Sequence, residues 1–207
     1  MSLNKKNTKF IYLISPNKIE DDEFYTNLSL VLKSGKVSYF QLRLKKETIK
    51  NKLIIGKKIR TICKKYKVKF LVNDDPMLAK KLNADGCHLG QKDMNIVKAR
   101  KIIGNKIIGI TCHNSIKLAK IAIKNKVSYL AFGAFFSTKT KKTKYKASIE
   151  ILNKAKNLTK TPLVAIGGIN YTNYKKLLLN NANFLAISSY IWNNKKYKPH
   201  KAIEKLK

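Results

Sequence analysis

The residues with the most chemistry in this chain stand in short polar steps, each closing an apolar run. The first step is Gln41-Leu42-Arg43-Leu44-Lys45, in which a period of two sets an amide, a guanidinium and an ammonium on one face of an extended chain. Only three of the 45 basic residues are arginine: Arg43, Arg60 and Arg100. An arginine placed within such a run points to bidentate recognition of an anion. The next steps are Val72-Asn73-Asp74-Asp75-Pro76 and Gly90-Gln91-Lys92-Asp93, which spend two of just 11 acidic residues, Asp74 and Asp93, on equivalent positions. Such a pair suits a hard cation such as Mg2+, completed by substrate oxygens and water. The competing structural reading makes Asp75 or Asp93 the cap of the helix that follows it.

Further along, Ile110-Thr111-Cys112-His113 supplies a hydroxyl and an imidazole. Alternation sends Cys112 and His113 to opposite faces, which argues against a zinc site shared with Cys87 and His88 and leaves His113 as a structural residue. The stretch from Ser137 to Lys144 is built of hydroxyl and ammonium groups and suits a lid over a phosphorylated ligand. Gly167-Gly168 and Ser188-Ser189 close two later runs, where small residues let backbone N–H groups approach an anion.

The elements that must hold these groups recur about every 20 to 25 residues. Eight candidate strands are read at Phe10 to Ser15, Ser38 to Leu44, Lys69 to Asp74, Gly86 to Gly90, Lys106 to His113, Tyr129 to Phe136, Pro162 to Gly168 and Phe184 to Trp192. Between them, apolar residues return at helical spacing, as in Ile49, Leu53, Gly56, Ile59 and Cys63. Asn114 and Ser115, Pro76, Gly35 and Gly104 stand where helices should start or stop. Runs such as Leu163-Val164-Ala165-Ile166 are apolar on both faces, the mark of a parallel sheet covered by helices. Eight βα units predict an α/β fold, a single (β/α)8 TIM barrel over residues 1–207, whose chemistry gathers at the carboxyl ends of the strands. An open doubly wound sheet is the alternative, but no GxGxxG turn follows the first strand.

The composition fits one folded domain: 207 residues, 44% hydrophobic, with 4 Pro and 9 Gly. No apolar run reaches the roughly 20 residues of a membrane span, and the six-residue stretch near the start is too short for a signal sequence. A cytoplasmic protein with no membrane partner and three reduced cysteines is expected. The formal charge of +34 invites a nucleic-acid partner. Its carrier is lysine, abundant together with Ile and Asn, and all three share A/T-rich codons. The expectation is therefore drift of exposed positions toward lysine, and no nucleic-acid partner.

Taken together and in order, Gln41-Leu42-Arg43-x-Lys45, Asn73-Asp74, Ala84-Asp85-Gly86-Cys87-His88-Leu89-Gly90-Gln91-x-Asp93, Gly109-Ile110-Thr111-Cys112-His113, Thr138-x-Thr140-Lys141 and Ala165-Ile166-Gly167-Gly168-Ile169 resemble the thiamine phosphate synthase family. The resemblance implies a transferase of thiamine biosynthesis that joins 4-amino-2-methyl-5-hydroxymethylpyrimidine diphosphate to a hydroxyethylthiazole phosphate. It further implies that Asp74 and Asp93 hold Mg2+ and that Gln41, Arg43, Lys45, Asn73, Thr111 and Lys141 bind the pyrimidine diphosphate, with Arg43, Lys45, Thr111 and Lys141 catalytic. Thr138, Thr140, Gly168, Ser188 and Ser189 would receive the thiazole phosphate, and a homodimer is possible. The chain departs from the family's pattern at Leu44, often Glu, at Thr111, often Ser, and at Asn181 and Phe184, both often Gly. A thiazole tautomerase-like branch is the enzyme alternative. It lacks the second aspartate and carries histidine where Ala134 stands, so Asp93 and Ala134 favour the synthase; a basic nucleic-acid-binding protein is the remaining alternative.

Overall fold

The structure is a computed structural model that describes residues 9–137 and 145–207. Eight parallel strands close into a barrel in sequence order: β1 (Ile11–Ile14), β2 (Val37–Leu42), β3 (Lys69–Asn73), β4 (Gly86–Leu89), β5 (Ile107–His113), β6 (Tyr129–Gly133), β7 (Leu163–Ile166) and β8 (Phe184–Ile187). Closure is direct, since Tyr12 of β1 stands opposite Tyr39 of β2 on one side and Ala186 of β8 on the other. Helices α1 (Glu23–Lys33), α2 (Ile49–Lys65), α3 (Pro76–Lys81), α4 (Ile96–Ile103), α5 (Ile116–Lys124), α6 (Glu150–Leu158) and α7 (Tyr174–Leu179) follow the first seven strands. Two short ones, α8 (Ser189–Trp192) and α9 (Pro199–Glu204), follow the eighth. The (β/α)8 architecture read from the sequence is the one observed.

Strands apolar on both faces are used on both faces. Outward-pointing Phe40, Phe70, Val72, Phe132 and Leu185 pack with helix residues such as Leu28, Ile59 and Leu177, all buried. Each such side chain contributes about 2 kcal/mol through the apolar surface it removes from water. A separate inner cluster of Tyr12, Ile14, Leu71, Tyr129, Ala131, Val164 and Ala186 fills the barrel itself. The Tyr129 ring needs a gap, and Gly109 provides it: a Cβ there would lie 1.8 Å from that ring.

Local signals act as expected at the helix ends. Ser115 accepts from Leu118 N–H, Asp75 from Leu78 N–H beside Pro76, and Gly35 and Gly104 adopt positive φ where α1 and α4 end. Every strand is shorter than the run that announced it, and four of the differences bear on the site or the packing. β2 stops at Leu42, so Arg43 and Lys45 follow the strand rather than lie in it, and β7 stops at Ile166. β6 stops at Gly133, where Phe135 and Phe136 turn their N–H groups to the Ile166 and Gly167 carbonyls. The run read as a strand to Trp192 breaks at Ser188. There the chain turns into α8, Ile191 is buried, and the Trp192 indole donates to the Ile14 carbonyl while its ring packs on Phe24.

Lysine occurs in every helix except α8, and basic residues occupy the last turn of all the others. Positive charge there complements the negative end of the helix dipole, and in this fold those ends lie on the face away from the carboxyl ends of the strands. Arg60 donates to the Asn83 carbonyl and Arg100 to those of Gly104 and Lys106, so two of the three arginines brace connections on that same face. No helix among the described residues is long and apolar enough to cross a membrane. Replacing Gly109 by Ala is expected to destabilise the fold by about 3 kcal/mol, the upper end of overpacking costs. Gly35→Ala, with open space around its Cβ and only a left-handed φ of 72° to strain, is expected to cost about 1 kcal/mol, both losses being read from urea denaturation.

Candidate active site

All ten described residues expected to form a site line one cavity of about 590 Å³ at the carboxyl ends of the strands: Gln41, Arg43, Lys45, Asn73, Asp74, Asp93, Thr111, Gly168, Ser188 and Ser189. That volume suits a ligand of drug or cofactor size. Thr138, Thr140 and Lys141 lie outside the described residues. The chain on either side of them is anchored nonetheless, because Ala134 exchanges backbone hydrogen bonds with Tyr145 and Ala147.

One wall carries the charge. The Arg43 backbone N–H donates to Ser15 Oγ, and its guanidinium reaches Asn17 Oδ1 at 2.6 Å. Burial presses the guanidinium pKa down, opposed by the Asp74 carboxylate, so this is a half-desolvated cation with room for an anion. Lys45 Nζ lies 3.2 Å from Asp74 Oδ2. Asp74 itself adopts a left-handed φ of 65°, a conformation aspartate tolerates better than most residues, and its N–H donates to the His88 carbonyl.

Asp74 and Asp93 stand in hydrogen-bond contact. Burial pushes the Asp74 carboxyl up, but its bond with Asp93 and the nearby Lys45 ammonium more than offset this and hold it below the usual carboxylate range. Asp93 moves the other way, raised by burial and by its bond with Asp74. Two carboxyl groups at this separation do not both ionise freely; they need a shared proton or a cation between them. The capping alternative resolves in favour of division of labour: Asp75 caps α3, Asn95 rather than Asp93 caps α4 by accepting from Lys98 N–H, and Asp93 Oδ2 accepts from Gly90 N–H at 2.7 Å. A carboxylate pair with both members left out of helix capping fits a hard divalent cation, which takes one or two carboxylates and fills its remaining positions with water and substrate oxygens.

The opposite wall is backbone. Gly168 has φ of 64°, and a Cβ there would lie 2.3 Å from the Ser137 carbonyl oxygen. Ser188 commits its hydroxyl to the Ser15 carbonyl, which leaves the main chain around Ser188 and Ser189 to face a ligand.

The floor was not foreseen. Tyr12, His88 and Tyr129 line the base of the cavity in a continuous chain: Gln41 Nε2 to Tyr12 OH 2.8 Å, Tyr12 OH to Tyr129 OH 2.8 Å, Tyr129 OH to His88 Nδ1 2.9 Å, and His88 Nε2 to Thr111 Oγ1 2.9 Å. Period two puts each of these residues on an inward position, but the apolar character of their runs hid them. His113 faces the cavity too, stacked on Tyr145 with ring centroids 4.1 Å apart. Cys63, Cys87 and Cys112 are free and buried away from it, and burial lifts the last two thiols to about 12. No cluster of three or more metal-ligating side chains occurs among the described residues.

Comparison with known proteins decides the family, because the model for thiamine monophosphate synthase matches residues 11–191. The chain belongs to the thiamine monophosphate synthase family. It is 71% identical to the thiamine-phosphate synthase of Pelagibacter ubique over 207 residues, the whole of both chains. It is 38% identical to that of Rhodospirillum centenum over 185 residues, 89% of each. The solved thiamine phosphate pyrophosphorylase from Pyrococcus furiosus superposes with a TM-score of 0.85 at 30% identity, covering 97% of this chain and 94% of the other.

Three of the four departures from the pattern that the resemblance implies have physical accounts. Asn181 occupies a left-handed φ of 71°, the one setting in which asparagine substitutes for glycine at little cost, and its amide bonds Asn153. Phe184 packs edge-on to Tyr39 at 5.0 Å inside the barrel. Leu44 is buried in the core, where it borders a smaller cavity beside Lys45 and Asp74. Removing either cap, as Asp75→Ala or Asn95→Ala, is expected to lower stability by about 1 kcal/mol in urea denaturation. A thiol reagent is expected to modify none of the three cysteines until the protein unfolds.

Proposed function

We propose that this chain is a thiamine phosphate synthase, a transferase that condenses 4-amino-2-methyl-5-hydroxymethylpyrimidine diphosphate with a hydroxyethylthiazole phosphate to give thiamine phosphate and pyrophosphate. The observation that carries this reading is the division of one cavity into a cation-and-carboxylate wall sized for a diphosphate and a glycine-and-serine backbone wall suited to a monophosphate. Two phosphorylated substrates then meet over a floor of neutral hydrogen-bonding groups.

Asp74 and Asp93 would hold Mg2+, which supplies positive charge against the diphosphate as it departs. Arg43 and Lys45 face the same anion, with Gln41, Asn73, Thr111 and Lys141 completing the pyrimidine diphosphate site. Gly168, Ser188 and Ser189, with Thr138 and Thr140, would position the thiazole phosphate. In the reaction the carbon–oxygen bond to the diphosphate breaks with its electron pair on oxygen, leaving a pyrimidine methylene cation. The thiazole nitrogen then donates its lone pair to form the carbon–nitrogen bond. No proton is gained or lost, so no general base is needed. The residues act by holding two reactants in line and by stabilising charge on the leaving group.

Asp93 beside Asp74, and a methyl group at Ala134 rather than an imidazole, speak against the proton-transfer chemistry of the tautomerase-like branch. The test incubates the protein with both substrates, with and without Mg2+, and measures thiamine phosphate. Mg2+-dependent product, lost in Asp93→Ala and reduced about 100-fold or more in kcat/KM by Arg43→Ala, is the expected result. Failure to form product under any of these conditions overturns the assignment.

A further inference from the structure

The chain of hydrogen bonds beneath the cavity has a direction, and the direction is determined by what its members can donate. Gln41 Nε2 is a donor only, so Tyr12 OH accepts from it at 2.8 Å and must send its own proton to its other partner, Tyr129 OH. Tyr129 has then accepted one proton, and its own can go only to His88 Nδ1, 2.9 Å away. An Nδ1 that accepts makes His88 the neutral tautomer with its proton on Nε2, which donates to Thr111 Oγ1 at 2.9 Å. Among the described residues His88 is the hydrogen-bond partner of that hydroxyl, so the Thr111 proton remains for a ligand in the cavity.

Reversing any one bond reverses all of them. A Gln41 amide turned by 180° would accept from Tyr12, Tyr12 from Tyr129, Tyr129 from a proton on His88 Nδ1, and Thr111 would donate inward to Nε2. Thr111 would then meet a ligand with lone pairs only. The ligand expected beside Arg43 and Lys45 carries phosphate oxygens, which accept and do not donate. The orientation in which Thr111 donates is therefore the one complementary to an anion.

We infer that Tyr129 is a positioning residue: bridging Tyr12 and His88, it fixes the Nε2–H tautomer of His88 and so presents the Thr111 hydroxyl as a donor to the bound diphosphate substrate. Tyr129 is buried at the base of the cavity, with its hydroxyl committed to Tyr12 and His88. Its position depends on Gly109, the residue that leaves room for its ring. The inference rests on the proposed function for the identity of the ligand, but the tautomer is a property of the protein alone.

The test therefore has two readouts. Long-range proton–nitrogen correlation spectra of the 15N-labelled full chain, with His88→Gln as the assignment control, are expected to show Nε2 protonated and Nδ1 bare; a proton on Nδ1 overturns the inference whether or not the protein makes thiamine phosphate. In steady-state kinetics, Tyr129→Phe is expected to lower kcat/KM for the pyrimidine diphosphate about tenfold, leave the KM for the thiazole phosphate unchanged, and abolish the single tautomer. Thr111→Val, which deletes the hydroxyl at constant shape, is expected to absorb that effect, so the double variant is no worse than Thr111→Val alone. Additive losses, or an unchanged His88 spectrum in Tyr129→Phe, would assign Tyr129 a merely structural role. If Tyr129→Phe does not fold, the wild-type tautomer still decides.

Discussion

Two phenol hydroxyls, those of Tyr12 and Tyr129, meet 2.8 Å apart inside the barrel, and the arrangement above them depends on that contact being satisfied at both ends. Neither group can reach bulk water, and burial drives both phenols well away from ionisation. Each must therefore find its partners within the barrel, since a buried polar group without one costs about 1–3 kcal/mol. Gln41 supplies one end and His88 the other. In this way a requirement of the core fixes side chains from β1, β2, β4 and β6, and Thr111 of β5, in one layer across the barrel. The cavity stands on this layer.

The upper layer follows an opposite rule, because its charges are only partly satisfied by one another. Arg43 is half-desolvated with an amide oxygen as its nearest partner, while Asp93 keeps its proton more tightly than an ordinary carboxyl because it is partly buried and bonded to Asp74. Both are tolerable in the free protein, and both would become favourable if an anion and a divalent cation arrived together. A rigid barrel makes this possible by holding the groups at strand ends whose positions are set by packing far below them. Helix capping is kept separate from this work: Asp75 and Asn95 serve α3 and α4, leaving Asp74 and Asp93 to face the cavity.

Much of this was legible in the sequence because periodicity carries it. Eight apolar runs at regular spacing gave the barrel, and polar residues at the ends of those runs gave the cavity's rim, since the fold has only one end at which such steps can converge. Strand ends were less legible. Leu44, Phe135, Ile191 and Trp192 are apolar and extend the apparent strands, but their burial is against helices or loops after the chain has turned. The floor was hidden for a related reason: Tyr12 and Tyr129 read as core aromatics, which they are, and nothing local signals that their hydroxyls meet across 117 residues of chain. His88 was visible only as a neighbour of Cys87, although alternation places the two on opposite faces of β4, the thiol among the helices and the imidazole in the cavity.

The acidic pair and the two cations would form one site for a metal-bound diphosphate, so that metal and anion bind as a unit. Calorimetric titration of inorganic pyrophosphate into the protein, with and without Mg2+, tests it most directly, using binding of the same pyrophosphate to Mg2+ in buffer as the reference. By linkage, each ligand must strengthen the other by the same factor. An affinity for pyrophosphate at least tenfold higher with Mg2+ than without, and lost in Asp93→Ala, is the expected result. Equal affinity in the presence and absence of Mg2+ would mean that metal and anion bind independently and that the acidic pair does not join the two cations in one site.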